Sequence, residues 1–175
     1  MSRAVRFAPL VLLLAIVAAL VWRLVTPADT NVHSMMEGKH VPYFPPMAAA
    51  NARMMFSSAD LARGQPTLVN FFASWCVPCI AESKTLAKLK AGGAPIFGIA
   101  VRDRFDEVDT FLQRNGDPYA AINADPQSEI QIGFGSSGVP ETFVVDGKGI
   151  IRYQHIGPID DSDVPMILSK LERAR

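Results

Sequence analysis

The N-terminal part of the chain differs in its apolar pattern from everything that follows. An uncharged run from Phe7 to Trp22 is bounded by arginines, and as a helix it is about 24 Å long, close to the thickness of a bilayer core. We therefore predict a single transmembrane anchor over residues 7–25, with residues 1–6 in the cytoplasm because Arg3 and Arg6 favour that side. A cleaved secretory signal is the alternative, although no clean cleavage site follows the run. Either interpretation places the rest of the chain outside the cytoplasm.

The next segment, residues 26–57, has mixed polarity and several prolines. Proline lacks a backbone donor, which confines it to turns, linkers and the edges of sheets. We predict a linker and N-terminal extension here, with an edge strand near residues 41–44.

From residue 58 to residue 175, short apolar runs alternate with segments of helical period. The apolar runs predict strands at 67–72, 95–101, 141–145 and 150–155, and the last two are joined by a hairpin turn at residues 146–149. The intervening patterns predict helices at 58–63, 76–90, 105–114, 127–132 and 161–173. Strands separated by helices indicate parallel pairing, and the hairpin adds an antiparallel pair. We predict an α/β domain, a mixed central sheet flanked by helices on both faces.

Composition narrows the classes of function. The 175 residues contain 17 Lys plus Arg and 17 Asp plus Glu, so the net charge is zero. A nucleic-acid partner is not expected, because such proteins concentrate positive charge. The two cysteines both fall within one four-residue stretch, and a bridge there closes too short a loop to stabilise the fold much. Redox chemistry and metal binding remain as possible functions of the two cysteines.

The cysteines stand where a predicted strand leads into a predicted helix. The first turn of a helix offers unpaired N–H groups and the positive end of the dipole, which favour the thiolate form of Cys76. Cys79, one turn later, is placed to resolve a mixed disulfide formed at Cys76. A zinc site needs two further ligands, and the three histidines show no paired spacing. We therefore predict a redox pair and no metal.

Two segments resemble the thioredoxin superfamily. One is Asn70 to Cys79 (NFFASWCVPC) and the other is Gly138 to Phe143 (GVPETF). Together with VVDG at 144–147 and IRYQHIG at 151–157, they are similar to the membrane-anchored thiol:disulfide interchange proteins of cytochrome c biogenesis, the DsbE/CcmG family. The resemblance covers residues 60–175 and implies a thioredoxin-like fold.

The resemblance also implies roles for individual residues. Pro140 is expected as a cis-proline that, with Val139 and Trp75, forms the surface that binds substrate. Asn70 stands where ordinary thioredoxins have a buried aspartate, and an asparagine cannot take up the proton of the second cysteine. Glu82 and Glu141, which match acidic positions of the family, are the candidates to replace it.

The function implied is a periplasmic reductase of the inner membrane. It is expected to accept electrons from a membrane thiol–disulfide carrier and to reduce the haem-attachment cysteines of apocytochrome c, directly or through a haem-ligation factor. No cofactor is expected beyond the Cys76–Cys79 disulfide. The alternatives are a general periplasmic disulfide reductase or oxidase, and a membrane-tethered module that binds substrate or haem and has incidental cysteines.

Overall fold

The computed structural model describes residues 3–25, 34–50 and 54–175. They belong to two compact units, Met1–His33 and Ser34–Arg175. The first unit contains helix α1 (Arg3–Val25). Within the described residues, no helix has both the length and the apolarity required to cross a membrane, so the predicted anchor stays a prediction. Residues 1–2 of the predicted cytoplasmic segment, and residues 26–33 and 51–53 of the predicted linker and N-terminal extension, lie outside the described part of the chain.

In the described residues of the second unit, five strands form one mixed sheet in the order β3-β2-β1-β4-β5. They are β1 (Thr67–Phe72), β2 (Ile96–Val101), β3 (Ala121–Asp125), β4 (Glu141–Val145) and β5 (Ile151–Ile156). The pairs β1–β2 and β2–β3 are parallel, whereas β1–β4 and β4–β5 are antiparallel. The mixed sheet and the hairpin are as predicted.

Helices cover both faces of this sheet. They are a 3₁₀ helix (Ser58–Ala62), α2 (Val77–Ala91), α3 (Phe105–Asn115), α4 (Glu129–Gly133) and α5 (Val164–Arg173). Helix α2 connects β1 to β2, and helix α3 connects β2 to β3, so both connections run in the same direction across the sheet. Connections between parallel strands are right-handed, and α2 and α3 therefore lie on the same face. Apolar residues of α2, α3 and α5 form one core cluster there. The opposite cluster is built from the 3₁₀ helix, Phe134 and the phenylalanines of the N-terminal extension.

The central strand β1 positions the site. Its residues are buried on both faces, which explains why its sequence is a continuous apolar run rather than an alternating one. Leu68 and Phe72 face α2, while Val69 and Phe71 face the opposite cluster. Phe71 pairs with Glu141 at the start of β4, so Pro140 arrives beside the point where β1 leads into the cysteine segment. On the two elements that flank the cysteines, Phe71 and Phe72 of β1 and Leu86 and Leu89 of α2 are all buried.

Two predictions about secondary structure were wrong. Residues 41–44 form no strand in the described chain; only an isolated bridge joins His40 to Ile150, because the nearby prolines cannot donate to a ladder. Strand β3 was missed, since it is short and carries Asn123 and Asp125 among apolar residues. The side chain of Asn123 has partners that are distant in sequence: it accepts a hydrogen bond from the N–H of Met47 and donates one to the carbonyl of Pro45, both in the N-terminal extension.

Helices α4 and α5 start later than predicted. Ser128 adopts a positive φ of 61°, which delays α4 to Glu129. At the other site Asp160 accepts a hydrogen bond from the N–H of Ser162 (2.8 Å) in a turn, so α5 begins at Val164. The apolar period records neither the left-handed backbone at Ser128 nor the side-chain turn at Asp160, so both helix starts were misplaced.

Gly98 of β2 is a point where the packing leaves no room for a side chain. A Cβ there would lie 2.9 Å from both Phe72 Cε1 and Tyr119 Cδ1. We expect Gly98→Ala to lower the free energy of unfolding by about 1–3 kcal/mol, because overpacking forces neighbours off their rotamers. Urea unfolding of the oxidised protein measures it. Gly138→Ala, where a Cβ meets nothing within 4 Å, is the matched control, and equal stability of the two variants would contradict the prediction.

Candidate active site

Cys76 and Cys79 form a disulfide, with Cα atoms 5.2 Å apart. Cys76 is the N-cap of α2, and its Sγ accepts a hydrogen bond from the backbone N–H of Cys79 (3.2 Å). Cys76 is the more exposed of the two cysteines, with 4% of its surface accessible to solvent compared with 1% for Cys79. Once the disulfide is reduced, the same N–H and the helix dipole stabilise a thiolate at Cys76, as the sequence predicts for the nucleophile.

An apolar surface surrounds this sulfur. Trp75 and Val77, on either side of Cys76, are 57% and 74% exposed, and Ile80 is also exposed. The Trp75 indole N–H donates to the carbonyl of Arg102 (3.3 Å). Asp103 fixes the preceding residue by accepting hydrogen bonds from the N–H and hydroxyl of Ser74 (2.5 and 2.7 Å). The loop after β2 therefore holds the turn that presents Trp75 to solvent.

The second segment of the resemblance meets the first at this end of the sheet. The Val139–Pro140 peptide bond is cis, and Val139 packs against both core clusters. Glu141 is buried and accepts hydrogen bonds from the N–H and hydroxyl of Ser137 (3.0 and 2.5 Å). Its other carboxylate oxygen accepts one from Gln154 (3.0 Å). Glu141 thus ties the loop before Pro140 to strand β5.

Glu82 lies in the interior between α2 and β1. It is 1% exposed; its carboxylate accepts hydrogen bonds from the side-chain amide of Asn70 (2.9 Å) and from the N–H of Ile159 (3.0 Å). Burial raises the pKa of Glu82 to about 7, against which the hydrogen bonds from Ile159 and Asn70 act. The carboxyl therefore changes its protonation state near neutral pH, as a group that exchanges protons must.

The two predicted acids occupy different faces of the sheet. Thr142 accepts a hydrogen bond from Asn70, which places it on the face of Glu82. Successive residues of a strand point to opposite faces, so Glu141, the neighbour of Thr142, points away from Glu82 and from the cysteine helix. Of the two, only Glu82 shares the interior side of α2 with Cys79.

Three residues of this network were not singled out as a set from the sequence: Asn70, Tyr119 and Thr142. The sequence marks Asn70 only because it stands where ordinary thioredoxins have a buried aspartate. The hydroxyl of Tyr119 donates to Asn70 Oδ1 (2.7 Å), and burial raises the pKa of Tyr119 well above its usual value, so it stays a neutral donor. A lone tyrosine after a proline carries no motif that marks it.

The arrangement is suited to dithiol–disulfide exchange. Attack by a Cys76 thiolate on a disulfide forms a mixed disulfide, and attack by Cys79 then releases the substrate as a dithiol. In the described part of the chain, no group of three or more His, Cys, Asp and Glu side chains is placed to hold a metal ion. The Nε2 atom of His155 lies 3.4 Å from the carbonyl oxygen of Pro158.

Trp75 offers a test of the surface around Cys76. We expect Trp75→Ala to lower kcat/KM for a protein disulfide about 3- to 10-fold, since exposed aromatics beside a reactive atom supply contact area. Stability should change by less than about 0.5 kcal/mol. Reduction of insulin measures the effect. Tyr43→Ala, at another exposed aromatic, is the control, and an equal loss with a small aromatic disulfide would contradict a role in binding protein substrates.

Comparison with known proteins agrees with this geometry. The Redoxin family model matches residues 36–171. The chain is 37% identical over 164 residues to thiol:disulfide interchange protein DsbE of Escherichia coli, covering 91% of this chain and 89% of that protein. It is 35% identical over 161 residues to thiol:disulfide interchange protein HelX of Rhodobacter capsulatus, covering 92% and 91%.

Solved structures give the same fold. The thioredoxin domain of a thiol-disulfide oxidoreductase from Bacteroides vulgatus superposes with a TM-score of 0.65 at 19% identity, covering 78% of this chain and 98% of that one. A thiol:disulfide interchange protein of the thioredoxin family from Chlorobium tepidum superposes with a TM-score of 0.61 at 27% identity, covering 77% and 94%. The thioredoxin-like fold is thereby confirmed. With a family match over most of its length and such relatives, this thiol-disulfide oxidoreductase belongs to the redoxin family, among the DsbE-type members of the thioredoxin superfamily.

Proposed function

We propose that this protein is the reductase that supplies electrons to the haem-attachment cysteines of apocytochrome c, directly or through a haem-ligation factor. The observation that carries the proposal is the Cys76–Cys79 disulfide backed by the buried carboxyl of Glu82, in a chain with the GVPETF segment of the cytochrome-biogenesis branch. A general reductase needs no such branch-specific segment, and a module with incidental cysteines needs neither the pair nor the acid.

The electron balance of the reaction is simple. The reduced protein enters with two thiols, and the Cys76 thiolate attacks one sulfur of the substrate disulfide while the other leaves as a thiolate. Cys79 then gives up its proton and attacks Cys76, and the substrate leaves with both electrons. The protein is left as the Cys76–Cys79 disulfide, which a membrane thiol–disulfide carrier reduces again.

Glu82 is proposed to handle the proton of Cys79. Because burial raises the pKa of Glu82 to about 7, its carboxylate is basic enough near neutral pH to accept a proton from a buried thiol. Asn70 stands beside it and has no proton to exchange. Glu141, whose carboxylate bonds Ser137 and Gln154, is proposed to act on substrate indirectly, by holding the loop that carries Val139 and Pro140.

The proposed location is the inner membrane, with residues 7–25 as a single anchor and the domain in the periplasm. The support is the uncharged run from Phe7 to Trp22 and the arginines that precede it. Resistance of the intact chain to alkaline carbonate extraction, with digestion of the domain by protease added to spheroplasts, is the expected result. Release of a shorter chain into the periplasm would instead indicate a cleaved signal.

Two measurements test the proposed function. Equilibration of the intact chain with glutathione or dithiothreitol gives its reduction potential, for which we expect a value nearer to that of thioredoxin, about −270 mV, than to the strong periplasmic oxidants at about −120 mV. A strongly oxidising value would reverse the direction of transfer. In the second, the reduced protein should reduce an oxidised C-x-x-C-H peptide faster than glutathione disulfide. Equal rates would favour a general reductase, and full cytochrome c maturation with Cys76→Ser would favour the binding module.

A further inference from the structure

We propose that Tyr119 is a positioning residue for the proton transfer at Cys79: its hydroxyl fixes the side-chain amide of Asn70 so that the NH2 group, and not the carbonyl oxygen, faces Glu82. This inference rests on the proposed role of Glu82. It assigns a function to a buried hydroxyl that lies outside both sequence motifs of the site.

The hydrogen bonds form a chain through the interior. Tyr119 donates to Asn70 Oδ1 at 2.7 Å, and Asn70 Nδ2 donates to Glu82 Oε1 at 2.9 Å and to Thr142 Oγ1 at 3.0 Å. Asn70, Glu82, Tyr119 and Thr142 are each at most 3% exposed. Water therefore has little access to replace any of these partners, and the loss of one leaves a buried polar atom unsatisfied.

The two ends of an asparagine amide are nearly equal in shape, so their partners decide which way the group points. Ionised Glu82 accepts only, and this favours the NH2 group. Once Glu82 is protonated, its preference for the NH2 group of Asn70 weakens. The Thr142 hydroxyl can donate or accept, so it favours neither orientation of the Asn70 amide. A phenol is a better donor than acceptor, so Tyr119 holds the carbonyl end of Asn70 in both protonation states of Glu82. The donor to Glu82 is then already in place whenever the carboxylate forms, which is the advantage of a preorganised site.

The ring of Tyr119 is itself held in place. It stacks on Phe72 with centroids 4.7 Å apart, and its backbone N–H donates to Asp117 (3.1 Å). Gly98, which pairs with Asn70 in the sheet, leaves the space that the ring occupies, since a Cβ there would come within 2.9 Å of it. Phenylalanine would fill the same space. What tyrosine adds is the hydroxyl, which is costly to bury without a purpose.

The test is Tyr119→Phe, with the titration of Glu82 followed by carboxyl ¹³C NMR in the intact oxidised chain. Without the hydroxyl, Asn70 is free to turn its oxygen toward the carboxylate, and Glu82 loses a donor. We expect the pKa of Glu82 to rise by about half to one unit, the size of one hydrogen bond. The rate at which Cys79 resolves a mixed disulfide should move to higher pH by the same amount. Tyr43→Phe, which removes an exposed hydroxyl, should change neither.

Two further variants keep the outcomes separate. Asn70→Ala should raise the pKa of Glu82 at least as much, and adding Tyr119→Phe to it should add nothing, because the hydroxyl acts through Asn70. An unchanged titration of Glu82 in folded Tyr119→Phe, or additive shifts in the double variant, would overturn the inference. A pH profile of mixed-disulfide resolution that is unaffected by Glu82→Gln would instead overturn the proposed role of Glu82, while the NMR result would still decide the role of Tyr119.

Discussion

Replacing Cys76 with serine is expected to abolish disulfide exchange, whereas replacing Cys79 is expected to stop the reaction halfway. Cys76 is the N-cap of α2, and its sulfur accepts a hydrogen bond from the backbone N–H of Cys79, so a thiolate is stabilised at Cys76. Cys76 is also the more exposed of the two cysteines. A serine hydroxyl is far too weak an acid to replace it. In Cys79→Ser the attack by Cys76 is retained, but no second thiol is present to resolve the product.

Trapping shows the difference directly. Mixed with an oxidised C-x-x-C-H peptide and quenched with acid, Cys79→Ser should accumulate a covalent adduct that is visible on a non-reducing gel. Cys76→Ser should give no adduct, and turnover should fall below detection in both variants. Ser83→Ala, a change in the same helix that removes a bond to the carbonyl of Cys79, should retain turnover. An adduct formed by Cys76→Ser but not by Cys79→Ser would reverse the roles of the two cysteines.

The elements with a strong local period were predictable from the sequence. Strand β1 and helix α2 follow from an apolar run and a helical pattern, and the hairpin follows from its turn residues. Each of these signals is continuous in the chain, and the longest, α2, spans 15 residues. Strand β3 was not predictable in this way, because Asn123 and Asp125 interrupt its apolar character. These side chains bond the N-terminal extension and the start of α4, contacts that a local pattern does not report.

In the site, too, the features set by local sequence were predictable and those set by contacts between distant residues were not. The cysteines were identified because strand, motif and helix start are consecutive in the chain. The network around Glu82 joins Asn70 to residues 12, 49 and 72 positions away, and Ile159 is 77 positions from Glu82. Such contacts depend on the order of strands in the sheet. For Glu141, proximity to Pro140 in the sequence suggested the same place as Glu82, and the alternation of strand β4 puts it on the other face.

Glu82 should make the folded protein less stable as the pH rises from 4.5 to 7. Its pKa is raised from 4.5 to about 7 in the folded state, because burial penalises the charged form. Below pH 4.5 the carboxyl is protonated in both states, and its contribution to stability is fully present. Between the two values the unfolded chain ionises while the folded chain keeps its proton, so the contribution is lost. The expected loss is about 3 kcal/mol, complete above pH 7.

Urea unfolding of the oxidised intact chain between pH 4.5 and 8 measures this loss, with Glu82→Gln as the reference that cannot titrate. The difference between the two stability curves isolates Glu82, since the remaining titrating groups are common to both. Carboxylates whose pKa is lowered, such as Asp60 and Asp146, exert their effect below this range. A flat difference would contradict a buried titrating carboxyl. In the role proposed for Glu82, as acceptor of the Cys79 proton, the same pH window should govern reactivity in the opposite sense, because only the ionised carboxyl can take up a proton. Burial of Glu82 thus lowers the stability of the folded protein at neutral pH, and the same burial gives Glu82 a pKa suited to proton transfer.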